Sequence, residues 1–364
     1  MNYYIIAGEA SGDLHSSNLM KELKKLDESA TFRCWGGDLM KEQGAVLVKH
    51  YRELAFMGFT EVLLNLRTIM MNIELCKRDI QQHKPDILIL VDYPGFNLRI
   101  AEFAKRKGIK VVYYISPQIW AWKQSRVHKI KRIVDKMLVI LPFEKEFYKR
   151  FGVDVEFVGH PLLDAIAASQ SSNPVVESEK PIIALLPGSR KQEITQMLPL
   201  MLSVKEKFKN YQFVVAGAPS QAPEFYEKIL SAEDVKIVYN RTYDLLRQSY
   251  AALVTSGTAT LETALFGVPE VVCYKGGKLS FGIAKQLVKV KYISLVNLIM
   301  DKPVVTELIQ EGLTTNNIQA ELTRILTGSA RSQLIGDYKE LKQKLGGAGA
   351  SKKAAESIIR SLKP

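Results

Sequence analysis

Short apolar runs recur along the chain, each bounded by turn residues and separated by stretches with helical spacing. The first half carries them near 3–7 (YYIIA), 31–35, 86–91 (DILILV), 110–115 (KVVYYI), 136–140 (KMLVI) and 155–158. The second half carries them at 182–186 (IIALL), 212–216 (QFVVA), 236–239 (KIVY), 251–255 (AALVT) and 270–274 (EVVCY). These are continuous Val/Ile/Leu runs, not apolar/polar alternations. Strands buried on both faces read that way, as in a parallel sheet covered by helices. The β–α alternation begins twice, at residue 3 and near 181. Between the two starts, 166–181 is rich in Ser, Ala, Glu and Pro. The pattern therefore predicts two doubly wound α/β domains, at 1–165 and 181–350, joined by a linker at 166–180. Ligands are expected where strand C-termini meet a crevice. The tail from about 335 is helical in pattern but interrupted by Gly346, Gly347 and Gly349. A last helix at about 351–364 either crosses back to the first domain or frays.

One amphipathic stretch stands apart. Over 60–77, Val62, Leu63, Leu66, Ile69, Met70, Ile73 and Cys76 share one face at 3.6-residue spacing and read as core. Leu64, Met71 and Leu75 form a second apolar stripe on nearly the opposite side. That stripe needs either more protein or lipid against it.

Composition narrows the picture. The chain has 364 residues, 47% of them hydrophobic, and a formal net charge of +12. Residues 101–150 alone hold 13 Lys/Arg against 4 Asp/Glu. Such a surface attracts phosphorylated substrates or anionic headgroups, or it is simply a solvated face. No nucleic-acid recognition module accompanies it, which argues against nucleic acid as a partner. Cys34, Cys76 and Cys273 are widely spaced and form no Cys/His cluster, so neither a zinc site nor a disulfide framework is expected. The N-terminus runs directly into a buried-strand pattern, with no signal peptide and no span of membrane length. A cytoplasmic location is expected.

The candidate chemistry lies just past the predicted strands. Gly8-Glu9-Ala10-Ser11-Gly12-Asp13-Leu14-His15 follows the first strand and opens a helix. Small residues there admit a ligand to the backbone, and Glu9, Ser11, Asp13 and His15 add polar groups. The spacing is not that of a dinucleotide fingerprint. Asp13 reads equally as a helix N-cap. Asp92 ends the most hydrophobic strand of the first half, within Val91-Asp92-Tyr93-Pro94-Gly95-Phe96-Asn97. A partly desolvated carboxylate there suits a general base, or else caps the turn before Pro94. Trp120 and Trp122, in Ser116-Pro117-Gln118-Ile119-Trp120-Ala121-Trp122, suit stacking on a sugar or lining an acyl groove, or else anchor the core.

In the second half, Leu186-Pro187-Gly188-Ser189-Arg190 follows a strand. Its N–H groups, hydroxyl and guanidinium all favour phosphate oxygens. Thr255-Ser256-Gly257-Thr258 repeats the strand, small-residue turn and helix start. Glu262 lies one to two turns further on, where a carboxylate can take a ribose diol. Asn297 is placed near a predicted strand end. A pyrophosphate site in one domain and an acid in the other is the division of labour of a glycosyltransferase. No acidic pair of the Asp-x-Asp type accompanies the turns. Leaving-group charge would then be met by Arg190, hydroxyls and helix N-termini, with no metal and no cofactor.

In order along the chain stand GEASGD (8–13), MGFTEVL (57–63), VDYPGFN (91–97), SPQIWAW (116–122), PFE (142–144), FVGHP (157–161), LLPGSR (185–190), SGTATLE (256–262) and PVVTELIQ (303–310). Together they resemble the lipid-A-disaccharide synthase family over nearly the whole chain. Ser16 stands where that family often has Gly or Ala. The resemblance implies a GT-B fold and an inverting transfer from UDP-2,3-diacylglucosamine to 2,3-diacylglucosamine 1-phosphate (lipid X) in lipid A biosynthesis. It implies Asp92 as the catalytic carboxylate. Gly188, Ser189, Arg190, Ser256, Gly257, Thr258, Glu262, Asn297 and Gln310 would hold the donor. Glu9, Ser11, Asp13, His15, Asn97, Trp120 and Trp122 would line the acceptor side. It further implies a peripheral enzyme on the cytoplasmic face of an inner membrane. The basic stretch 101–150 and the stripe of Leu64, Met71 and Leu75 fit a docking surface for it; a homodimer is compatible with the sequence. The rivals are a UDP-sugar 2-epimerase, the transferase that makes peptidoglycan lipid II, and a non-catalytic nucleotide-binding or scaffold protein.

Overall fold

Apolar runs with no polar face have to be covered on both sides, and the chain meets this demand twice. The computed structural model describes residues 1–54, 66–169, 174–230, 235–276 and 291–362. It divides into one unit of Met1–Ala168 with Leu345–Pro364, and a second of Ser169–Lys344.

The first unit holds β1 (Asn2–Ala7), β2 (Thr31–Gly36), β3 (Val46–His50), β4 (Ile87–Val91), β5 (Lys110–Tyr114), β6 (Lys136–Val139) and β7 (Glu156–Phe157). They form one parallel sheet in the order β3-β2-β1-β4-β5-β6-β7. The second unit holds β8 (Ile182–Leu186), β9 (Gln212–Gly217), β10 (Lys236–Tyr239), β11 (Ser249–Thr255), β12 (Glu270–Tyr274) and β13 (Thr306–Ile309), in the order β10-β9-β8-β11-β12-β13. In each sheet the winding reverses between the first strand and the fourth, β1/β4 and β8/β11. That is where doubly wound sheets open a crevice beyond their strand C-termini. One strand beside each reversal is buried at every position, Ile87–Val91 in the first sheet and Ile182–Leu186 in the second.

Two strands went unread in the sequence. Val46–His50 and Thr306–Ile309 are edge strands with mostly half-exposed residues, so neither shows a continuous apolar run. The expected linker begins inside a helix, Leu162–Ala168. The second unit ends at Lys344, not at 350.

The amphipathic stretch needs a correction. The described helix is Leu66–His83, and Val62, Leu63, Leu64 and the segment 57–63 lie outside the described residues. Its buried face is Asn72, Ile73, Cys76, Asp79 and Ile80. Leu66 and Met70, read as core, are exposed together with Met71 and Leu75. Two polar residues turn the packed face. Asn72 Oδ1 accepts from Lys49 Nζ at 3.0 Å, and Asp79 takes a two-pronged bond from Arg33 at 2.6 and 2.7 Å. At 100° per residue Met70 then falls about a third of a turn from the centre of that face. Asp79 also accepts from the Tyr4 hydroxyl at 2.7 Å, which in turn accepts from Trp35 Nε1 at 2.8 Å. Burial pushes the Asp79 carboxyl up, but the Arg33 fork and the Tyr4 hydroxyl outweigh it and hold the group below the usual carboxylate range.

The tail breaks at the glycines into helices Gly328–Lys344 and Ala350–Leu362. The second of these packs along the helix Ala10–Leu26 in the first unit. Ala354, Ala355 and Ile358 are fully buried there. Its start is pinned by Asp164, whose carboxylate accepts from the backbone N–H groups of Gly349 and Ser351, the latter at 2.7 Å. Its far end is held by Glu156, which accepts from Ser357 Oγ at 2.6 Å and pairs with Arg360 at 3.1 Å. Among the described residues no helix is long and apolar enough to cross a membrane.

Candidate functional site

β1 and β4 run in register up to Ala7 and Val91, so Gly8-Glu9 and Asp92-Tyr93 leave the sheet side by side at the winding reversal. Gly8 is required there by close approach. A Cβ on it would stand 2.4 Å from Cγ of the Tyr93 ring. Glu9 occupies the N-cap position of the helix Ala10–Leu26 without capping it by its side chain. It lies near enough to Asp92 for its charge to be felt. The Asp92 carboxyl is pushed up to about 7, first by burial and then by Glu9, with the Tyr93 N–H opposing. A half-buried carboxylate of that acidity can accept a proton near neutral pH.

The backbone here is strained. Asp92, Tyr93 and Ile115 all have positive φ, 43°, 46° and 64°. The left-handed region costs a non-glycine residue roughly 1–3 kcal/mol, and it persists only where the surroundings over-determine it. Three bonds hold Asp92. Its N–H donates to Ile115 O at 3.2 Å, and its carbonyl accepts from Asn97 Nδ2 at 2.8 Å and from the Tyr113 hydroxyl at 2.5 Å. Asn97 is fully buried and also donates to Val91 O at 3.2 Å. It therefore supports the Asp92 turn and does not present itself to an acceptor. Tyr113 was not singled out in the sequence, because a tyrosine inside an apolar run reads as core.

Two further acceptor-side expectations change. Asp13 is buried, and its carboxylate accepts from the N–H groups of Gly37, Leu39 and Met40 at 2.8, 3.1 and 3.1 Å. It caps the following helix, Asp38–Glu42, not its own, and is withdrawn from ligand. His15 is buried beside Asp164, and burial pushes its imidazole down to about 4. It is neutral at physiological pH and offers no charge to a phosphate. Ser11 remains exposed on the first turn.

The tryptophans separate. Both sit on a short helix, Ile119–Trp122, not in a loop. Trp120 is core, edge-on to Phe143 at 4.9 Å. Trp122 is 47% exposed, with the Arg126 guanidinium 5.1 Å and the Lys123 ammonium 5.8 Å from its ring. The strand end before them is held by Ser116 Oγ and the Tyr148 hydroxyl, 2.7 Å apart. Glu144, also unread in the sequence, is fully buried and accepts from the N–H groups of Ile140 and Leu141. Burial pushes it up to about 7 against those bonds.

In the second unit β8 and β11 end at the other reversal. Gly188 has φ 106°, and a Cβ on it would stand 2.7 Å from Glu193 Oε2. Glu193 accepts from the Ser189 and Arg190 N–H groups at 3.3 and 3.4 Å and pairs with Arg190 at 2.9 Å. Those N–H groups thus meet a carboxylate of their own chain, while the Arg190 side chain stays 57% exposed. At the other turn, Ser256 Oγ donates to Ile293 O at 3.0 Å. Among the described residues no side chain caps the helix Thr258–Leu265, and a Cβ on Gly257 would meet nothing within 4 Å. An open turn feeding an uncapped helix start favours an anion. Glu262 lies one turn further on, half-buried, accepting from the Tyr243 hydroxyl at 2.9 Å. Burial raises its carboxyl, with Tyr243 opposing.

Asn297 is again a supporting residue. It lies in a helix, Leu295–Met300, and not at a strand end. It is buried, with its amide bonded to Val305 O, Val305 N and Glu307 Oε1, each at 2.9 Å. Glu307 in turn accepts from the N–H groups of Ile293 and Ser294, so it ties to β13 the segment whose Ile293 carbonyl receives Ser256 Oγ. Gln310, at φ 54°, lays its amide against the Gly276 peptide at 3.2–3.3 Å. Among the described residues no group of three or more His, Cys, Asp and Glu could hold a metal ion.

The chain matches the family described as lipid-A-disaccharide synthetase over residues 3–361. It is 41% identical to the lipid-A-disaccharide synthase of Syntrophus aciditrophicus, over 99% of this chain and 97% of that one. It is 39% identical to that of Geobacter metallireducens, over 98% and 96%. Among solved structures it resembles a UDP-GlcNAc 2-epimerase from Neisseria meningitidis bound to UDP-GlcNAc, with a TM-score of 0.68, 14% identity and 99% and 100% of the two chains covered. It also resembles the calicheamicin glycosyltransferase, with a TM-score of 0.64, 16% identity and 99% and 98% covered. These likenesses establish the GT-B type of fold. Because they include epimerases, they do not by themselves choose the reaction.

Proposed function

Since the chain belongs to the lipid-A-disaccharide synthase family, glycosyltransferases of lipid A biosynthesis, we propose that it joins UDP-2,3-diacylglucosamine to 2,3-diacylglucosamine 1-phosphate with inversion. The observation that carries the reading is Asp92: a half-buried carboxyl at the end of β4, pushed up to about 7 beside Glu9. The acceptor 6-hydroxyl gives its proton to this carboxylate as its oxygen attacks the anomeric carbon. The bond from that carbon to the diphosphate breaks, and UDP departs with the electron pair from the opposite face. A single displacement of this kind forms no covalent enzyme intermediate. The open turn at Gly257-Thr258 and the Arg190 guanidinium meet the diphosphate, and Glu262 takes the ribose. Ser256, Asn297 and Gln310 shape the donor side through the backbone they hold. Glu9 and Ser11 stand on the acceptor side.

The test is turnover with both purified lipids, read by mass spectrometry. The expected products are the β-1,6-linked tetraacyl disaccharide 1-phosphate and UDP, with UDP appearing only when lipid X is present. Release of UDP without acceptor, or 2-epimerisation of UDP-GlcNAc, would replace this reading with the epimerase one. Arg190→Ala is expected to weaken UDP binding roughly 10-fold or more, since a charge-assisted pair contributes about 1.5–3 kcal/mol. Unchanged affinity by calorimetry would move the phosphate site elsewhere.

The reading extends to a membrane surface. Leu66, Met70, Met71 and Leu75 are 45–61% exposed on one helix, and Trp122 stands exposed among cations. Part of the basic excess is engaged in pairs such as Lys129–Glu102 and Lys136–Glu156. The remainder attracts anionic headgroups at about 1 kcal/mol per basic residue near the surface. The protein is expected to sediment with anionic liposomes, less so with neutral ones, and less again as Met71→Ser/Leu75→Ser. Equal recovery in all three would mark a solvated face.

A further inference from the structure

The Asp92 turn is held by more than the strand it ends. Asp92 and Tyr93 are consecutive left-handed residues, and Ile115, at the end of the neighbouring strand, is a third. A buried β-branched residue in that region is an outlier that its surroundings have to enforce. The Tyr113 side chain is wholly buried, and a phenylalanine would fill the same space apart from one oxygen. That oxygen donates to the carbonyl of Asp92, 2.5 Å away. The second donor on the same carbonyl, Asn97 Nδ2, comes from the first turn of the helix Pro94–Arg106. Two side chains from different elements thus converge on a single peptide oxygen, that of the residue read as the base.

We infer that Tyr113 is a positioning residue for the transfer: its hydroxyl fixes the Asp92–Tyr93 peptide and so sets where the Asp92 carboxylate stands. The inference rests on Asp92 acting as the base. Without the hydroxyl, one side-chain donor, Asn97 Nδ2, remains on the Asp92 carbonyl, alongside the bond from the Asp92 N–H to Ile115 O. The peptide then relaxes toward the extended region, which carries the carboxylate away from Glu9 and out of its half-buried place. The donor-binding groups are all in the other unit and are untouched.

Tyr113→Phe tests this against Asp92→Asn in parallel. The expected result for Tyr113→Phe is a kcat lower by roughly 10- to 100-fold, the scale of a displacement of about 1 Å at a reacting group. The donor KM and UDP affinity stay within about twofold. The acid limb of the kcat/KM profile moves to lower pH, because the carboxyl loses burial and the neighbouring charge. A lesion that only lowers the folded fraction leaves that limb where it was, and its size follows the thermal midpoint. A Tyr113→Phe rate within twofold of the parent overturns the inference, as does a rate loss with an unmoved limb. Asn97→Leu removes the second donor and is expected to move the same limb in the same direction; an unmoved limb there counts against control through the carbonyl. Should Asp92→Asn itself turn over normally, the base assignment falls, a result separable from any outcome at Tyr113.

Discussion

Asp92→Asn is expected to lower kcat by roughly 10²- to 10⁴-fold, the range a positioned general base supplies, while UDP binds as before. The amide keeps the shape of the carboxyl and removes its proton affinity, so a large loss at constant donor affinity isolates the proton transfer. The parent enzyme should show an acid limb in kcat/KM near pH 7, where its carboxyl titrates. Glu9→Gln removes the neighbouring negative charge and is expected to move that limb to lower pH. Stability responds with the opposite sign. The folded carboxyl is pushed up to about 7 from its ordinary value of 3.8. The folded state therefore holds an extra proton between those values, and its stability falls as pH rises through that window. Asn has no such slope. Asp92→Asn is thus expected to be at least as stable as the parent at pH 8, and relatively less so toward pH 4. Denaturant midpoints at the two pH values measure this. A variant that keeps near-normal turnover would remove Asp92 from the chemistry, and one markedly less stable at pH 8 would refute the burial argument.

Ile358→Ala should cost about 2–5 kcal/mol, as large-to-small changes in packed cores do. Ile358 is fully buried between the final helix and the helix Ala10–Leu26, with Ala354 and Ala355 beside it. The total stability of a domain is only about 5–15 kcal/mol. Ending the chain at Gly346 removes the whole helix together with the N–H groups that Asp164 accepts from. It is expected to leave the first unit unfolded or insoluble. The second unit, contained in Ser169–Lys344, should keep its own transition. Calorimetry of the truncated chain decides this, and a retained pair of transitions would show the helix to be dispensable.

The two β–α windings were legible because the central strands are buried on both faces, which writes continuous apolar runs into the sequence. The edge strands Val46–His50 and Thr306–Ile309 carry polar, half-exposed positions and left no such run. The turns at Gly8, Asp92, Gly188 and Gly257 were found where the structure places them, each at the C-terminal end of a strand beside a winding reversal. Individual roles were harder to read. Asp13, Asn97 and Asn297 are polar residues close to strand ends, and on the page they look like ligand groups. In the fold each satisfies buried backbone, because a tight turn between packed layers strands N–H and C=O groups that only a side chain can reach. The reverse error hid Tyr113 and Glu144. A tyrosine in an apolar strand and a glutamate in a helix start both read as ordinary; the fold brings Tyr113 to the Asp92 carbonyl, whereas Glu144 reaches back only three and four residues, to the Leu141 and Ile140 N–H groups, as a capping box does.

The return of the last helix to the first unit has a consequence for synthesis. The domain whose residues leave the ribosome first is also the one completed last, since the residues 345–362 that close it follow the whole of the other. At roughly 5–20 residues per second, the nascent chain waits on the order of ten seconds or more with the seat of Ala354, Ala355 and Ile358 uncovered. The intervening domain is one continuous segment and can close during that wait. Maturation therefore runs against the usual N-to-C order. Until the final helix is made, the face of Ala10–Leu26 that it covers stays open to solvent.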